Sequence, residues 1–135
     1  MAPEDEIRID LLRRSPLFAT LSAAEIAEVA SATAELNVPA GETLLSQATP
    51  GGEVVVLVAG AATVERDGTV IGSVEPGDVI GEVGVMTRMS RVATVTTTQP
   101  SHLLVIKADA FRALAERIPA LDKGAWKMTA SHLKP

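Results

Sequence analysis

Residues 66–81 of the chain read RDGTVIGSVEPGDVIG, in which short β-branched runs lie between glycine-containing turns. Asp67-Gly68 is a hairpin-turn pair, because glycine accepts the positive φ that a two-residue hairpin requires. The same pattern extends over residues 40–107, where Val, Ile and Thr dominate and glycines recur every few positions. No ten-residue helix fits between these breaks. We therefore expect an antiparallel all-β sandwich or barrel and exclude a βαβ sheet.

A helical pattern precedes the β region. Residues 3–36 carry apolar side chains at helical spacing, interrupted at Ser15-Pro16. Ser22 and Glu25 have the spacing of a capping box. In this motif the Ser side chain accepts a hydrogen bond from one free backbone amide, and the Glu side chain accepts one from another. These residues are expected to form a helical lead-in.

A second helical pattern follows the β region. Residues 109–133 return to helical spacing, with Asp109 as the expected N-cap and Pro119 as the start of a new segment. No linker, repeat or low-complexity tract divides the chain. We expect one domain over residues 1–135, mainly β with N-terminal and C-terminal helices.

Composition excludes several classes of function. The chain has 135 residues, a net charge of −5, two Phe, one Trp, no Tyr and no Cys. Nucleic-acid binding normally requires basic surfaces or stacking aromatic rings, so no nucleic-acid partner is expected. The acidic start is unlike a signal peptide, and the longest apolar run, residues 54–62, is nine residues long, about half of a membrane span. We expect a cytoplasmic protein with no membrane partner.

The sequence contains no recognisable catalytic motif. Its two histidines, His102 and His132, are thirty residues apart in different expected elements. A metal site in a β-barrel would need several convergent His and carboxylate ligands, so a metal-dependent barrel enzyme is the weakest alternative. Neither a serine-hydrolase elbow nor a nucleotide P-loop pattern is present. We expect no enzyme, no metal and no cofactor.

Residues 81–94 (GEVGVMTRMSRVAT) are the segment most suited to ligand chemistry. Its glycines let a ligand approach the backbone, and a helical turn from Val83 would direct free amides at an anion. Arg91 can make a planar two-pronged contact to a phosphate, whereas Glu82 can accept a sugar hydroxyl. The segment favours a pocket for a phosphorylated sugar. The alternative is a surface turn in which Glu82 and Arg91 are solvated or loosely paired.

The order of these residues closely resembles the phosphate-binding cassette of the cyclic nucleotide-binding domain family. The matching features are Gly-Glu-Val-Gly-Val, an Arg nine residues after the Glu, and then Val-Ala-Thr-Val. The likeness covers roughly residues 15–120, and its other matching segments are 17–25, 40–44, 58–60, 76–82 and 104–114. The resemblance implies an antiparallel β-barrel of the jelly-roll type, with N-terminal and C-terminal helices, that binds a cyclic nucleotide.

The resemblance also implies roles for individual residues. Glu82 would accept the ribose 2′-hydroxyl, and Arg91 would hold the cyclic phosphate. The backbone groups that would line the pocket belong to Gly81, Val83, Gly84, Val85, Val92 and Ala93. Arg88 has no role in the pattern and is expected to be solvated.

The chain departs from the family pattern at three places. Ile80 stands where a Phe is usual, and Ser90 stands where a Pro usually precedes the Arg. The Tyr common in the barrel is replaced within residues 54–58. Because the replacements are apolar or small, they are expected to change packing more than chemistry.

The function implied by the resemblance is that of a cyclic AMP sensor without catalysis. Val92 lacks the hydroxyl that, in the family, can bond the amino group of guanine, so cyclic AMP is expected over cyclic GMP. Sixteen residues follow Pro119, too few for the DNA-reading module of many bacterial relatives. Output is therefore expected through an effector protein or self-association. The alternative is a structural or interaction domain of the same fold with little nucleotide affinity.

The C-terminal segment offers a lid for such a pocket. Family members often cover the base with an apolar or aromatic side chain from the helical tail, where this chain has its one Trp, Trp126. Gly124 weakens the helix by about 1 kcal/mol and is suited to a hinge. The alternative is that Trp126 simply packs its helix against the barrel.

Overall fold

The computed structural model describes residues 3–48, 52–89 and 91–133, so Ser90 lies outside the described residues. The elements follow one another as helices α1 (Pro3–Arg13) and α2 (Ala23–Ser31), strands β1 (Ala34–Val38), β2 (Thr43–Leu45), β3 (Glu53–Ala59), β4 (Ala62–Arg66), β5 (Thr69–Val74) and β6 (Val79–Ile80), helix α3 (Glu82–Thr87), strands β7 (Thr94–Thr97) and β8 (Ser101–Lys107), and helices α4 (Ala108–Arg117) and α5 (Pro119–Leu133).

Within the described residues, the strands form two four-stranded sheets. The first sheet has the order β1-β8-β3-β6 and the second β2-β7-β4-β5, and all pairings are antiparallel. The β4–β5 hairpin turns at Asp67 (φ 53°) and Gly68 (φ 81°), as the sequence predicts. The predicted fold class, antiparallel β with flanking helices, is confirmed.

The central strands of the first sheet, β3 and β8, are buried on both faces over most of their length. Val54 and Val56 of β3 pack among the helices, whereas Val55 and Leu57 pack toward the second sheet. Successive side chains of a strand point to opposite faces, so a strand between two layers must be apolar at every position. This position explains why the longest apolar run of the chain forms a strand.

The N-terminal helical region is shorter than the sequence predicts. Helix α2 ends at Ser31, and residues 34–38 form β1, which pairs with β8 from Ala34↔Val105 to Val38↔Ser101. The expectation of helix up to residue 36, with strands from residue 40, is therefore wrong. The reason is non-local, because β8 supplies the backbone partners of β1 from far along the chain.

Local helix signals are confirmed at the start of α2. The Glu25 amide donates to Ser22 Oγ (3.1 Å), and the Ser22 amide donates to Glu25 Oε1 (2.8 Å). Helix α1 ends at Arg13, just before Ser15-Pro16.

At the C-terminal end, Pro119 begins α5 as predicted, but Asp109 is not the N-cap of α4. Strand β8 runs directly into α4, so Lys107 takes the cap position and Asp109 lies in the first turn. The Asp109 carboxylate instead accepts a hydrogen bond from Arg112 Nη2 at 2.7 Å. None of the helices in the described part of the chain has the length and apolar character to cross a bilayer.

Candidate functional site

A cavity of about 380 Å³ opens beside α3. Its walls come from β4, β5, the turn before β6, the first turn of α3, residues 91–95 and the end of α5. The predicted site residues that line it are Gly81, Glu82, Val83, Gly84, Arg91, Val92 and Ala93. The volume falls in the range of small-molecule sites. Of the three charged residues of the cassette, the fold thus brings Glu82 and Arg91 to one cavity and leaves Arg88 outside it.

Val85 is the exception among the predicted pocket residues. Its side chain is fully buried and packs in the helical core, and its carbonyl accepts a hydrogen bond from Arg112 Nη1 at 3.2 Å. The Val85 amide donates to the Gly81 carbonyl at 3.3 Å, and Val85 is not among the residues that line this cavity.

Gly81 sets the direction in which α3 leaves the sheet. Its φ is +88°, and a Cβ at this position would collide with the Glu53 carbonyl oxygen of β3. Glycine removes both the strain and the collision. The helix begins at Glu82, one residue earlier than the turn expected from Val83. The close approach of the two backbones therefore fixes Glu82 at the cavity.

Arg91 also lines the cavity and is held there by its backbone. Its carbonyl accepts a hydrogen bond from the Ala48 amide at 2.8 Å, and its side chain is half-buried. Burial lowers the pKa of the Arg91 guanidinium, and the charge of Glu53 opposes this shift. An arginine remains a cation at neutral pH, so the cavity contains a partly desolvated positive charge. Such a group favours an anionic ligand.

Glu82 contacts a residue that sequence reasoning did not assign to the site. Its side chain is 1% exposed, and its two carboxylate oxygens lie 3.0 and 3.1 Å from Nδ1 of His132. The hydrogen bond to Glu82 raises the pKa of His132, burial opposes the rise, and the charges of Glu82 and Asp78 add to it. The one sequence signal is helical spacing, because His132 falls on the same face of α5 as Ala125 and Met128.

Arg66 is a second residue that sequence reasoning missed. The sequence pattern places it at a turn, yet its side chain lines the cavity and its Nε donates to the Val92 carbonyl at 3.2 Å. Ala62 and Val64 pack in the core between the sheets, and strand alternation places Arg66 on that same inner face. Arg66 therefore adds positive charge next to the cassette.

Trp126 does not line this cavity. It is 47% exposed and borders a separate shallow depression together with Arg112 and Asp122. The α5 residues at the cavity are Met128 and His132. A Cβ on Gly124 would lie 3.2 Å from Leu17 Cδ1, so this glycine packs closely against the lead-in segment. The arrangement of α5 therefore does not match the expected lid.

Arg88 lies outside the cavity. It is exposed and follows the last turn of α3 with φ 60°, in agreement with its expected solvation. It also borders the shallow depression beside Trp126.

The family model of the cyclic nucleotide-binding domain matches residues 35–118. The chain belongs to this family. The matched residues include both sheets apart from Ala34, the whole cassette and most of the residues that line the cavity.

Named relatives share the domain but are longer proteins. The domain is 32% identical over 111 residues to the Pycsar effector protein XpPycTIR of Xanthomonas perforans, and this match covers 81% of the chain and 35% of the effector. It is 24% identical over 109 residues to the cGMP-dependent protein kinase egl-4 of Caenorhabditis elegans, covering 81% of the chain and 14% of the kinase. The solved regulatory domain of Toxoplasma gondii PKA with cAMP matches with a TM-score of 0.77 and 27% identity, over 84% of the chain and 45% of that structure. The cyclic nucleotide-binding domain thus spans less than half of each.

Proposed function

We propose that this cyclic nucleotide-binding domain binds 3′,5′-cyclic AMP and acts as a cytoplasmic sensor with no catalysis of its own. The observation that carries the proposal is the meeting of Arg91 and Glu82 at one cavity. A 3′,5′-cyclic nucleotide presents one phosphate anion and one free ribose hydroxyl. These are the two groups that a guanidinium and a carboxylate recognise.

The phosphate would bind Arg91. A half-buried cation has lost part of its hydration, so its environment favours an anionic ligand. The guanidinium can hold two phosphate oxygens at once. The backbones of Val83 and Gly84 border the same space, and the glycine leaves room for close approach.

The ribose would be held by Glu82. An ionised carboxylate only accepts hydrogen bonds, so it selects a hydroxyl and repels a second anion. For the base, Val92 at the cavity provides apolar contact and no hydroxyl for the amino group of guanine. This favours adenine, and the related Toxoplasma domain was crystallised with cAMP.

The response would reach an effector protein or a second copy of the chain through the end helices. A sensor without catalysis must convert ligand binding into a change of shape or of surface. Helix α5 reaches both the cavity, through Met128 and His132, and the lead-in segment, through Gly124. It is the element best placed to transmit binding.

Calorimetry with four ligands tests the proposal: cyclic AMP, cyclic GMP, 2′-deoxy cyclic AMP and linear adenosine 5′-monophosphate. We expect cyclic AMP to bind most tightly. Removal of the 2′-hydroxyl should weaken binding by about tenfold, because a hydrogen bond to a charged group is lost. A domain with the same fold but only a structural or interaction role would give no heat with any of the four at millimolar concentration, and that result would overturn the proposal.

A further inference from the structure

The carboxylate proposed to bind the ribose already contacts a side chain of the domain itself. Nδ1 of His132 lies 3.0 Å from Glu82 Oε1 and 3.1 Å from Oε2, so one ring nitrogen faces both oxygens. Glu82 is 1% exposed with His132 in this position. A ligand hydroxyl therefore meets the imidazole before it meets the carboxylate.

A carboxylate can accept several donors, but Glu82 is 1% exposed with His132 in place, so its oxygens have no open side for a second donor. An imidazole N–H and a ribose O–H would both donate to the same carboxylate oxygens at hydrogen-bond distance. We propose that His132 is an internal competitor of the ribose hydroxyl: it closes Glu82 in the ligand-free domain, and a cyclic nucleotide binds by displacing it. This inference rests on the proposed function and names the event that would link ligand binding to α5.

The displacement requires little rearrangement of the helix. Leu121, Ala125 and Thr129 of α5 are buried and anchor the helix, whereas Ser131 and Leu133 on either side of His132 are exposed. His132 lies in the last turn, one turn beyond Thr129. Movement of this last turn frees the carboxylate while the anchored part of α5 stays in the core.

The charged surroundings of His132 decide its protonation. Glu82 from α3 and Asp78 from the turn before β6 face it, and the cavity also contains Arg66 and Arg91. The other charged residues on and around α5 lie away from His132. Arg112 and Glu116 of α4 border the shallow depression beside Trp126. Arg13 donates to the Ala19 and Leu21 carbonyls, and Lys123 and Lys127 are exposed on α5 itself.

The hydrogen bond to Glu82 raises the pKa of His132 above its ordinary value of 6.5. At a pH below its raised pKa, His132 is protonated and holds Glu82 as an ion pair. As the pH rises through the raised pKa, the proton leaves and the competitor weakens. Displacement by a nucleotide must therefore release a proton, and the affinity for the nucleotide must rise with pH across this window.

The test is calorimetry with cyclic AMP at about pH 6 and about pH 8 on the wild type, His132→Ala and His102→Ala. His102 is the matched control, because it also pairs with a carboxylate, Glu35 at 3.2 Å, but does not line the cavity. We expect wild-type and His102→Ala affinities to increase about threefold to tenfold with pH. His132→Ala should bind about tenfold more tightly than the wild type at about pH 6 and show little pH dependence.

Several outcomes separate this inference from the proposed function. If the wild type binds cyclic AMP but His132→Ala binds equally or more weakly at about pH 6, the competitor role is overturned and the proposed function stands. If neither protein binds any cyclic nucleotide, the proposed function fails, and the competitor role fails with it.

An NMR titration of the imidazole then tests the His132–Glu82 contact alone. We expect the pKa of His132 to fall in Glu82→Gln, a variant of the same shape without the charge. In the wild type, saturating cyclic AMP should also lower it. An unchanged His132 pKa in both experiments would show that the contact does not form in solution and would overturn the inference.

Discussion

Glu82 and Arg91 come from one short segment and differ in their burial. Glu82 is 1% exposed and closed by His132, whereas Arg91 is half-buried and borders the open cavity. A buried carboxylate is costly unless it has a hydrogen-bond partner, so Glu82 must exchange one donor for another. The arginine has lost part of its hydration before any ligand arrives. Arg91 is thus suited to increasing the affinity for an anionic ligand, and Glu82 is suited to selecting a ligand that donates a hydroxyl.

Position 92 carries the prediction on base preference. We expect Val92→Thr to narrow the preference for cyclic AMP over cyclic GMP by about 1 kcal/mol, because the new hydroxyl can accept a hydrogen bond from the amino group of guanine. Calorimetry with both nucleotides measures the difference. Val92→Ala is the control, since it shortens the side chain without adding a hydroxyl. Tighter binding of cyclic GMP by the unmodified domain would contradict the assignment.

At the scale of elements, Gly81 links the first sheet to α3. It combines a φ of +88° with a backbone contact to Glu53, whereas Gly41 has a similar φ of +85° and open space where a Cβ would lie, with no atom within 4 Å. Substitutions at these two glycines therefore distinguish the cost of a positive φ from the cost of a collision between a Cβ and the backbone. Both would strain a side chain, but only Gly81 would force α3 away from β3.

We expect Gly81→Ala to lower the free energy of unfolding by more than Gly41→Ala, which should cost about 1 kcal/mol from strain alone. Urea denaturation of the three proteins measures the difference. The displacement of α3 should also weaken cyclic AMP binding in Gly81→Ala only. Equal losses of stability in both variants would show that the contact with Glu53 carries no cost.

The elements that sequence could predict are those with local signals. The hairpin at Asp67-Gly68 and the capping box at Ser22 depend on neighbouring residues, and the structure contains both. Strand β1 depends on β8, and its residues 34–38 are exposed or half-buried without an alternating pattern. Its sequence, Ala-Glu-Leu-Asn-Val, does alternate apolar and polar residues, a short strand signal that the assignment of residues 3–36 to helix overlooks.

The same limit applies to the site. Glu82 and Arg91 could be found because the cassette is contiguous in sequence. His132 could not, because its contact with Glu82 joins residues from α3 and α5 through the packing of the whole domain. Trp126 attracts attention as the one Trp, but helical geometry directs it away from the face of α5 that carries Met128 and His132.

At the scale of the whole molecule, the ligand cavity lies beside a layered core. The first sheet packs against the helices on one face and against the second sheet on the other. Helix α5 belongs to the helical layer through Leu121 and Ala125 and ends at the cavity through His132. A ligand that displaces His132 would therefore act on the layer that also contains α1, α2 and α4. This arrangement supports output through the helices.

The most direct measurement is the affinity for cyclic AMP of Arg91→Ala beside Arg88→Ala, determined by calorimetry. Both variants remove an arginine from the same segment, but only Arg91 lines the cavity. We predict that Arg91→Ala loses about 1.5–3 kcal/mol, roughly tenfold to a hundredfold in affinity, while Arg88→Ala binds like the wild type. Equal affinities in the two variants would contradict the assignment of this cavity as the cyclic nucleotide site.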